Sequence, residues 1–208
     1  MDSVSYALGI NIGESFKKLK IEGLDPKVIA AGVSDILTNN GENAKMTDEE
    51  SRDFLQSYFM NLQTQNSDKN LKEGEDFLNE NKSKEGVVTL PSGLQYKVIT
   101  EGTGPKPAAE DEVEVHYRGT LLNGDEFDSS YESGQTAKFK LDQVIKGWTE
   151  GLQQVKEGSK VMFWIPAGLA YGERHAGDIE PNSTLIFEIE LIKVTKDAPK
   201  PAAAAKKK

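Results

Sequence analysis

Apolar residues recur every three or four positions through the first part of the chain, the spacing of amphipathic helices. From Ser3 to Lys20 such a stripe is formed by Leu8, Ile12, Phe16 and Leu19. A second helix is predicted to open at Asp25-Pro26, because aspartate caps free backbone amides and proline is tolerated at the first helical position. Its stripe consists of Ile29, Val33, Ile36 and Leu37, and Asn39-Asn40-Gly41 is predicted to end it.

A third helix is predicted to begin at Thr47, which forms a capping box with Glu50. Its apolar stripe is Phe54, Leu55, Tyr58, Phe59 and Leu62. From Gln63 to about Lys84 the apolar residues thin out, and Gly74 weakens the helix. A continuous helix from Thr47 to Ser83 would be about 55 Å long. Such a polar helix either bridges modules through solvent or frays into a linker, and we favour the bridge.

After Gly86 the pattern changes to the two-residue period of strands. Val113, Val115 and Tyr117 alternate with polar residues, and a second alternating series is Leu185, Phe187, Ile189 and Leu191. Gly93–Thr100 and Val161–Ile165 are further candidate strands, and a short helix presents Val144, Trp148, Leu152 and Val155. The pattern favours antiparallel strands covered on one face, and therefore an α+β chain with its helical module first. The tail from Asp197 is rich in proline, alanine and lysine and is predicted to be disordered.

Composition narrows the classes of function. The formal net charge over 208 residues is −9, which argues against nucleic acid or an anionic membrane as a main partner. There is no cysteine, and His116 and His175 belong to no short metal-ligand motif, so neither a disulfide nor a zinc site is expected. No cofactor is predicted either.

No apolar run approaches the roughly 20 residues of a membrane span. The start, Met1-Asp2-Ser3-Val4, lacks the features of a signal peptide. The sequence as it stands favours a cytoplasmic protein, or a periplasmic or cell-envelope protein from which a signal was removed.

The helical module leaves two alternatives open. A unit of roughly 60 residues is marginal on its own, and pairing with a second copy would bury more of its apolar stripes. The other interpretation is a monomeric helical cap that packs on the second domain. The pattern favours the dimer.

The second half of the chain contains no Gly-x-Ser-x-Gly elbow, phosphate loop or metal signature. Gly102-Thr103-Gly104 precedes a proline and is best interpreted as a turn. Asn182-Ser183-Thr184 matches a glycosylation acceptor, a motif common by chance. By periodicity alone, the aromatic residues of this half would be core residues.

Five strings in order change that interpretation. They are His116-Tyr117-Arg118-Gly119, the segment Gly124 to Ser130, Val144-Ile145-Lys146-Gly147-Trp148, Ala170-Tyr171-Gly172 and the segment Thr184 to Leu191. This series resembles the FKBP family of prolyl isomerases, over about Gly93 to Val194. The helical half, with Ser5-Tyr6-Ala7-Leu8-Gly9, resembles the amino-terminal domain of bacterial Mip-like FKBPs.

The resemblance implies an antiparallel sheet of five or six strands around the short helix, with an apolar active site between them. It places Trp148 at the floor and Asp128 at the rim, with walls formed by Tyr117, Phe127, Val144, Ile145, Tyr171 and Phe187. The Tyr171 hydroxyl and the Ile145 amide would donate to ligand carbonyls. His175 and Ile179 would lie in a loop that overhangs the pocket.

The chain departs from the family pattern at several positions. Ser133 stands where many members have an arginine that pairs with the aspartate, and Ala137 stands where an aromatic residue is common. Asp178 and Glu180 occupy a loop that is more apolar in many relatives. These departures bear on inhibitor affinity and sequence preference more than on activity.

The function implied is peptidyl-prolyl cis-trans isomerisation of proline-containing polypeptides, with rapamycin-like macrolides as possible inhibitors. A holdase that binds such chains without turning them, and a dimeric interaction scaffold, are the alternatives. Expected domains are a helical dimerisation domain (1–62), a connecting helix (63–86), the isomerase domain (87–196) and a disordered tail (197–208). A dimer would hold two pockets around a shared cleft, which would favour a chaperone role.

Overall fold

The structure, a computed structural model, describes residues 2–18, 21, 23–39, 41–42 and 44–197. Leu19 and Asn40, which the sequence analysis assigned to the first two helices, lie outside the described residues, as does the tail beyond Asp197. Asp197, which the sequence analysis placed at the start of the disordered tail, is instead bonded to the second half of the chain. Its N–H donates to Asp111 Oδ1 at 3.1 Å. The chain divides into two compact units between Tyr58 and Phe59.

The first unit contains helices α1 (Ser3–Lys18) and α2 (Pro26–Asn39) and the start of α3 (Asp48–Asn81). The predicted caps are confirmed. Asp25 Oδ1 accepts a hydrogen bond from the Lys27 N–H at 2.8 Å. Thr47 and Glu50 form the reciprocal capping box, with the Glu50 N–H donating to Thr47 Oγ1 at 3.2 Å and the Thr47 N–H donating to Glu50 Oε2 at 2.8 Å.

The apolar stripes of this unit do not close a core within one chain. None of the described residues between 2 and 58 is buried. Large apolar side chains are instead exposed along all three helices, including Leu8 at 58%, Ile36 at 59% and Phe54 at 62%. Burial of such side chains is the main force that stabilises helical modules. This unit therefore presents apolar surface along all three of its helices.

Helix α3 runs for 34 residues without interruption, so the predicted continuous helix is confirmed. The predicted solvent bridge is wrong for its later turns, since Gly74 and Asn81 are buried within the second unit. The Asn81 side chain donates to Gln95 Oε1 at 2.9 Å, and Gln95 Nε2 donates to the Leu78 carbonyl at 2.7 Å. This part of α3 packs through small and polar residues, which an apolar pattern does not reveal.

The second unit is built on one antiparallel sheet. Its strands are β1 (Val88–Thr89), β2 (Gln95–Thr100), β3 (Glu112–Leu121), β4 (Glu126–Ser129), β5 (Ala137–Lys140), β6 (Lys160–Ile165) and β7 (Leu185–Thr195). Their order is β1-β2-β6-β7-β3-β4, and β5 pairs with the other part of β3. All the strands predicted from alternation are present. The sheet has seven strands rather than five or six, because two-residue β1 extends one edge and β5 shares the edge of β3 with β4.

Strands β3, β6 and β7 bury alternate residues on the face that forms the core. The alternation in β7 shifts near its end, where Lys193 pairs with Glu114 but Leu191 pairs with Val115. The extra residue of this β-bulge is Ile192, which is exposed, and the next inward residue becomes Val194. The bulge keeps the end of the strand in contact with the core.

The short helix α4 (Lys146–Leu152) packs against β6. Gly147 makes this possible, because a Cβ added there would overlap the side chain of Ile165. Close packing brings Trp148, which is 4% exposed, against the inner face of the sheet. The helix thus supplies the floor of the cavity described next.

Candidate active site

A cavity of about 500 Å³ opens at one side of the sheet, within the size range typical of small-ligand sites. It lies between β3, β4, β5, the start of α4, the turn after β6 and the start of β7. Its lining is mostly aromatic and aliphatic and consists of Tyr117, Phe127, Asp128, Phe139, Gln143, Val144, Ile145, Lys146, Trp148, Ala170, Tyr171, Arg174 and Phe187. The structure therefore brings together eight residues that the sequence analysis assigned to one site.

The Trp148 ring is the centre of this aromatic cluster. Three rings meet it edge to face, with centroids 5.3 Å away for Tyr117, 5.4 Å for Phe139 and 5.2 Å for Phe187. Phe127 in turn meets Phe187 at 5.5 Å. Edge-to-face pairs are favoured because the positive ring edge faces the negative ring face. This mutual packing fixes the shape of the cavity without any substrate.

Trp148 Nε1 is buried and has no hydrogen-bond partner within the described part of the chain. Buried donors are almost always paired, so an unpaired one is informative. Here the unpaired N–H belongs to the residue at the centre of the cavity's aromatic cluster.

Tyr117 and Asp128 form the polar contact of the cavity, with the Tyr117 hydroxyl donating to Asp128 Oδ2 at 2.7 Å. Burial, and secondarily this hydrogen bond, raise the pKa of Tyr117 well above its usual range. The hydroxyl is therefore a neutral donor at all physiological pH values. The sequence left open whether Asp128 merely satisfies nearby backbone amides, and the hydrogen bond found for its carboxylate comes from Tyr117 instead.

Backbone and side-chain donors also line the cavity. Ile145 is the N-cap residue of α4, and the first N–H groups of a helix have no intrahelical acceptor. Tyr171 is half-buried on the turn after β6. Both lie where the resemblance places donors to a bound carbonyl, and that role is a prediction.

The structure places His175 and Ile179 outside the lining. His175 is exposed, whereas Ile179 is 5% exposed and belongs to the hydrophobic core. A short bridge between Ala176 and Ile179 turns the Ile179 side chain inward. A substrate-binding role for these two residues stays a prediction.

Sequence reasoning missed five residues that line the cavity: Phe139, Gln143, Lys146, Ala170 and Arg174. Phe139 could have been found, because it follows Ala137 by two residues on β5 and therefore shares its face. Its ring supplies an aromatic wall near the position where Ala137 lacks one. Lys146 and Arg174 are long exposed side chains, and periodicity carries no signal for them.

The Ser133 hydroxyl forms its hydrogen bonds with the turn that contains it rather than with Asp128. Its hydroxyl donates to the Ser130 carbonyl at 3.0 Å and accepts from the Gln135 N–H at 3.3 Å, so it stabilises the turn between β4 and β5. Asp178 is exposed, and Glu180 is half-buried beside α3, where its Oε2 lies 3.5 Å from Asn70 Nδ2.

Within residues 2–197, apart from the few positions left undescribed, no cluster of three or more His, Cys, Asp or Glu side chains could hold a metal ion. In the same part of the chain, no helix is long and apolar enough to cross a membrane.

Two family models match the chain. Residues 104–192 match the model described as FKBP-type peptidyl-prolyl cis-trans isomerase. Residues 1–98 match the model of the domain amino terminal to FKBP-type peptidyl-prolyl isomerase.

Curated proteins and solved structures are similar over most of the chain. The Outer membrane protein MIP of Legionella longbeachae is 44% identical, over 95% of this chain and 87% of that protein. FkpA of Aeromonas hydrophila, an FKBP-type peptidyl-prolyl cis-trans isomerase, is 47% identical, over 93% of this chain and 76% of that protein. The crystal structure of FkpA from Escherichia coli aligns with a TM-score of 0.73 at 36% identity, covering 92% of this chain and 95% of that one.

Proposed function

Because this chain belongs to the FKBP-type peptidyl-prolyl cis-trans isomerase family, we propose that it turns X–Pro bonds in the aromatic cavity around Trp148. The observation that carries the proposal is the convergence of Tyr117, Phe127, Trp148 and Phe187, from three strands and one helix, on a cavity of about 500 Å³. The substrates proposed are proline-containing peptides and folding polypeptides.

The chemistry explains why an apolar cavity suffices. The barrier to rotation, about 18–20 kcal/mol, comes from amide resonance, which places negative charge on the carbonyl oxygen. Water stabilises that charge, and twisting the bond removes the charge separation. A water-excluding aromatic cavity therefore favours the twisted amide over the planar one, and tighter binding of the twisted form lowers the barrier. No covalent bond is broken, so no nucleophile is needed.

The polar groups would orient the substrate rather than react with it. The Ile145 N–H and the Tyr171 hydroxyl would each donate to a carbonyl next to the proline. The Tyr117 hydroxyl is already bonded to Asp128 at 2.7 Å, so this pair holds the Tyr117 ring against Trp148. The proline ring would rest on the Trp148 face, where apolar contact is greatest.

Phe127→Ala tests the site. Phe127 is half-buried, and removing an aromatic ring that the substrate would cover takes away roughly 1.5–3 kcal/mol of apolar contact. This corresponds to a loss of about tenfold or more in kcat/KM on a proline tetrapeptide. Phe77→Ala on α3 is the matched control, because Phe77 is half-buried and does not line the cavity. Unchanged kcat/KM in a Phe127→Ala protein with normal circular dichroism would show that catalysis occurs elsewhere.

We also propose that the first unit forms a homodimer. Between residues 2 and 58 no described residue is buried, and apolar side chains such as Val4, Leu8 and Ile12 are between 45% and 69% exposed. A second copy would cover these side chains. The match to the domain that precedes FKBP-type isomerases supports the same assembly.

A dimer carries two cavities on one particle. An unfolded protein can engage both, and simultaneous engagement raises avidity by about 10²–10⁴ where the geometry permits. We therefore include a folding-chaperone role in the proposal. A tetrapeptide fills only one cavity and would gain nothing from the second.

A further inference from the structure

One face of α3 lies against the segment that leads into β7. The Asn182 side chain donates to Ser67 Oγ at 2.9 Å, and one turn further along the helix Asn70 Nδ2 donates to the Pro181 carbonyl at 3.0 Å. All of these residues belong to the second compact unit. The contact therefore joins α3 to the domain that contains the cavity.

The third contact on this face is steric. Gly74 is buried against Thr184, which is 4% exposed, and an added Cβ would overlap the Thr184 hydroxyl. Ser67, Asn70 and Gly74 follow the i, i+3, i+7 spacing of a single helix face. The glycine that weakens α3 as a helix is thus a position at which a larger side chain would not fit against the domain.

Asn182 joins this helix face to the cavity. While its side chain bonds Ser67, its backbone N–H donates to the Gly172 carbonyl at 2.7 Å. Its φ of 58° lies in the left-handed region, which asparagine adopts more readily than most residues. Gly172 directly follows Tyr171, whose side chain lines the cavity. One residue therefore contacts both α3 and the turn that presents Tyr171.

We infer that Asn182 is a positioning residue of the isomerase site and that α3, through Ser67, fixes the turn on which Tyr171 stands. This inference rests on the proposed function, since it concerns the hydroxyl proposed to bind a substrate carbonyl. Residues 67–74 of α3 are then part of the scaffold of the active site. The Asn182 side-chain amide is half-buried and donates to Ser67. This structural role explains the asparagine of the Asn-Ser-Thr motif, so glycosylation is not needed to explain it.

Ser67→Ala provides the first test, because it removes the acceptor on α3 and leaves the segment of Asn182 intact. Loss of one hydrogen bond that orients Tyr171 should lower kcat/KM on a proline tetrapeptide by about threefold to fivefold. Ser57→Ala is the matched control, since Ser57 is an exposed serine on the same helix. That control should keep full activity.

The decisive readout is a double-mutant cycle with Tyr171→Phe in the full-length protein. If Ser67 acts through the Tyr171 hydroxyl, Ser67→Ala has no further effect once that hydroxyl is removed. The inference would be overturned if Ser67→Ala lowered kcat/KM by the same factor in the wild type and in Tyr171→Phe. Full activity in either single variant would also overturn it. Phe127→Ala measured in parallel separates the two claims, because its loss of activity upholds the proposed site whatever the cycle shows.

Gly74→Ala offers an independent line. The new methyl group should push α3 away from Thr184 and lower kcat/KM, and Thr184→Ala in the same chain should restore most of it by removing the overlapping hydroxyl. Loss of activity without recovery in a folded double variant would count against α3 as a positioning element.

Discussion

Tyr117 ties the stability of the fold to pH through one side chain. Its folded pKa is raised, first by burial and then by the hydrogen bond to Asp128. Below a pH of about 10 the hydroxyl is protonated in folded and unfolded chains alike, so it contributes no pH dependence. Above that pH the unfolded chain releases the proton while the folded chain keeps it, and stability falls.

Tyr117→Phe should therefore flatten this part of the alkaline decline. Urea denaturation of both proteins at several pH values between about 9 and 12 measures it. The wild-type free energy of unfolding should fall more steeply than that of the variant. Parallel slopes for the two proteins would contradict the raised pKa.

Ser133 and Ala137 bear on inhibitor binding at the same scale. We propose that rapamycin-like macrolides occupy the cavity, and that the missing arginine and aromatic side chain weaken them. The double variant Ser133→Arg/Ala137→Phe should bind such a macrolide more tightly than the wild type, as measured by isothermal titration calorimetry. The two single variants show how much each substitution contributes to the gain in affinity. Equal or weaker affinity in the double variant would remove this explanation.

Residue-scale prediction from sequence placed eight residues that line one cavity, and their roles in catalysis stay predictions. The eight residues named for the pocket converge because their positions on strands and on α4 follow from local strings. Arg174 and Lys146 were missed, because their approach to the cavity depends on how a turn and a helix end fold back. No periodicity records such an approach.

At the scale of elements, the contact of α4 with β6 depends on the absence of a side chain at Gly147. A Cβ there would overlap Ile165, and overpacking a core typically costs about 1–3 kcal/mol. Gly147→Ala should lower the free energy of unfolding by that amount in urea denaturation. Gly168→Ala is the matched control, because nothing lies within 4 Å of its Cβ position.

Ile165→Ala opens a cavity and is destabilising by itself, because Ile165 is fully buried. In a double-mutant cycle, however, Gly147→Ala should cost less in the Ile165→Ala background than in the wild type, since the atoms in conflict are gone. A Gly147→Ala protein as stable as the wild type would mean that α4 and β6 can separate freely. Trp148 follows Gly147 on α4, so it should tilt when Gly147→Ala lowers the stability. A shift in tryptophan fluorescence would report this movement.

Strands and helix starts were predictable because alternation and capping are local. The docking of α3 was not, because its contacts are made by Ser67, Asn70, Gly74 and Asn81. Small and polar residues look like a solvated face in a sequence. Only the partner groups at Gln95 and in the segment 181–184 show that this face is buried.

At the scale of the whole molecule, the exposed apolar side chains of the first unit predict assembly. Light scattering should give twice the chain mass for the full-length protein and one chain mass for residues 59–208. Starting the fragment at Phe59 keeps the α3 contacts of the second unit, which a cut at Val87 would remove.

Leu8→Glu/Ile12→Glu should also give one chain mass, because charges would enter the proposed contact. Lys27→Glu is the control, since an acidic residue is favourable in the first turn of α2. A full-length wild-type protein that is monomeric at micromolar concentration would rule out the dimer.

The full-length protein and the fragment of residues 59–208 also separate chaperone action from catalysis. Residues 59–208 should keep nearly full activity on a tetrapeptide but lose most of the acceleration of a proline-limited refolding reaction. An equal fractional loss in both assays would mean that the second cavity contributes nothing to large substrates. The helices would then serve solubility alone.

The most direct test of the central claim is to watch the cavity while the protein turns an X–Pro bond. Trp148 and Trp164 are the two tryptophans of the chain, and their indole N–H groups give two NMR signals that Trp148→Phe assigns. Trp148 lies at the centre of the cavity's aromatic cluster, whereas Trp164 alternates with Phe163 and Ile165 on β6 and faces away from the core. On adding a proline peptide, the Trp148 signal should shift and saturate at the concentration that saturates catalysis, while the Trp164 signal stays in place. Full catalysis with an unmoved Trp148 signal would contradict the account.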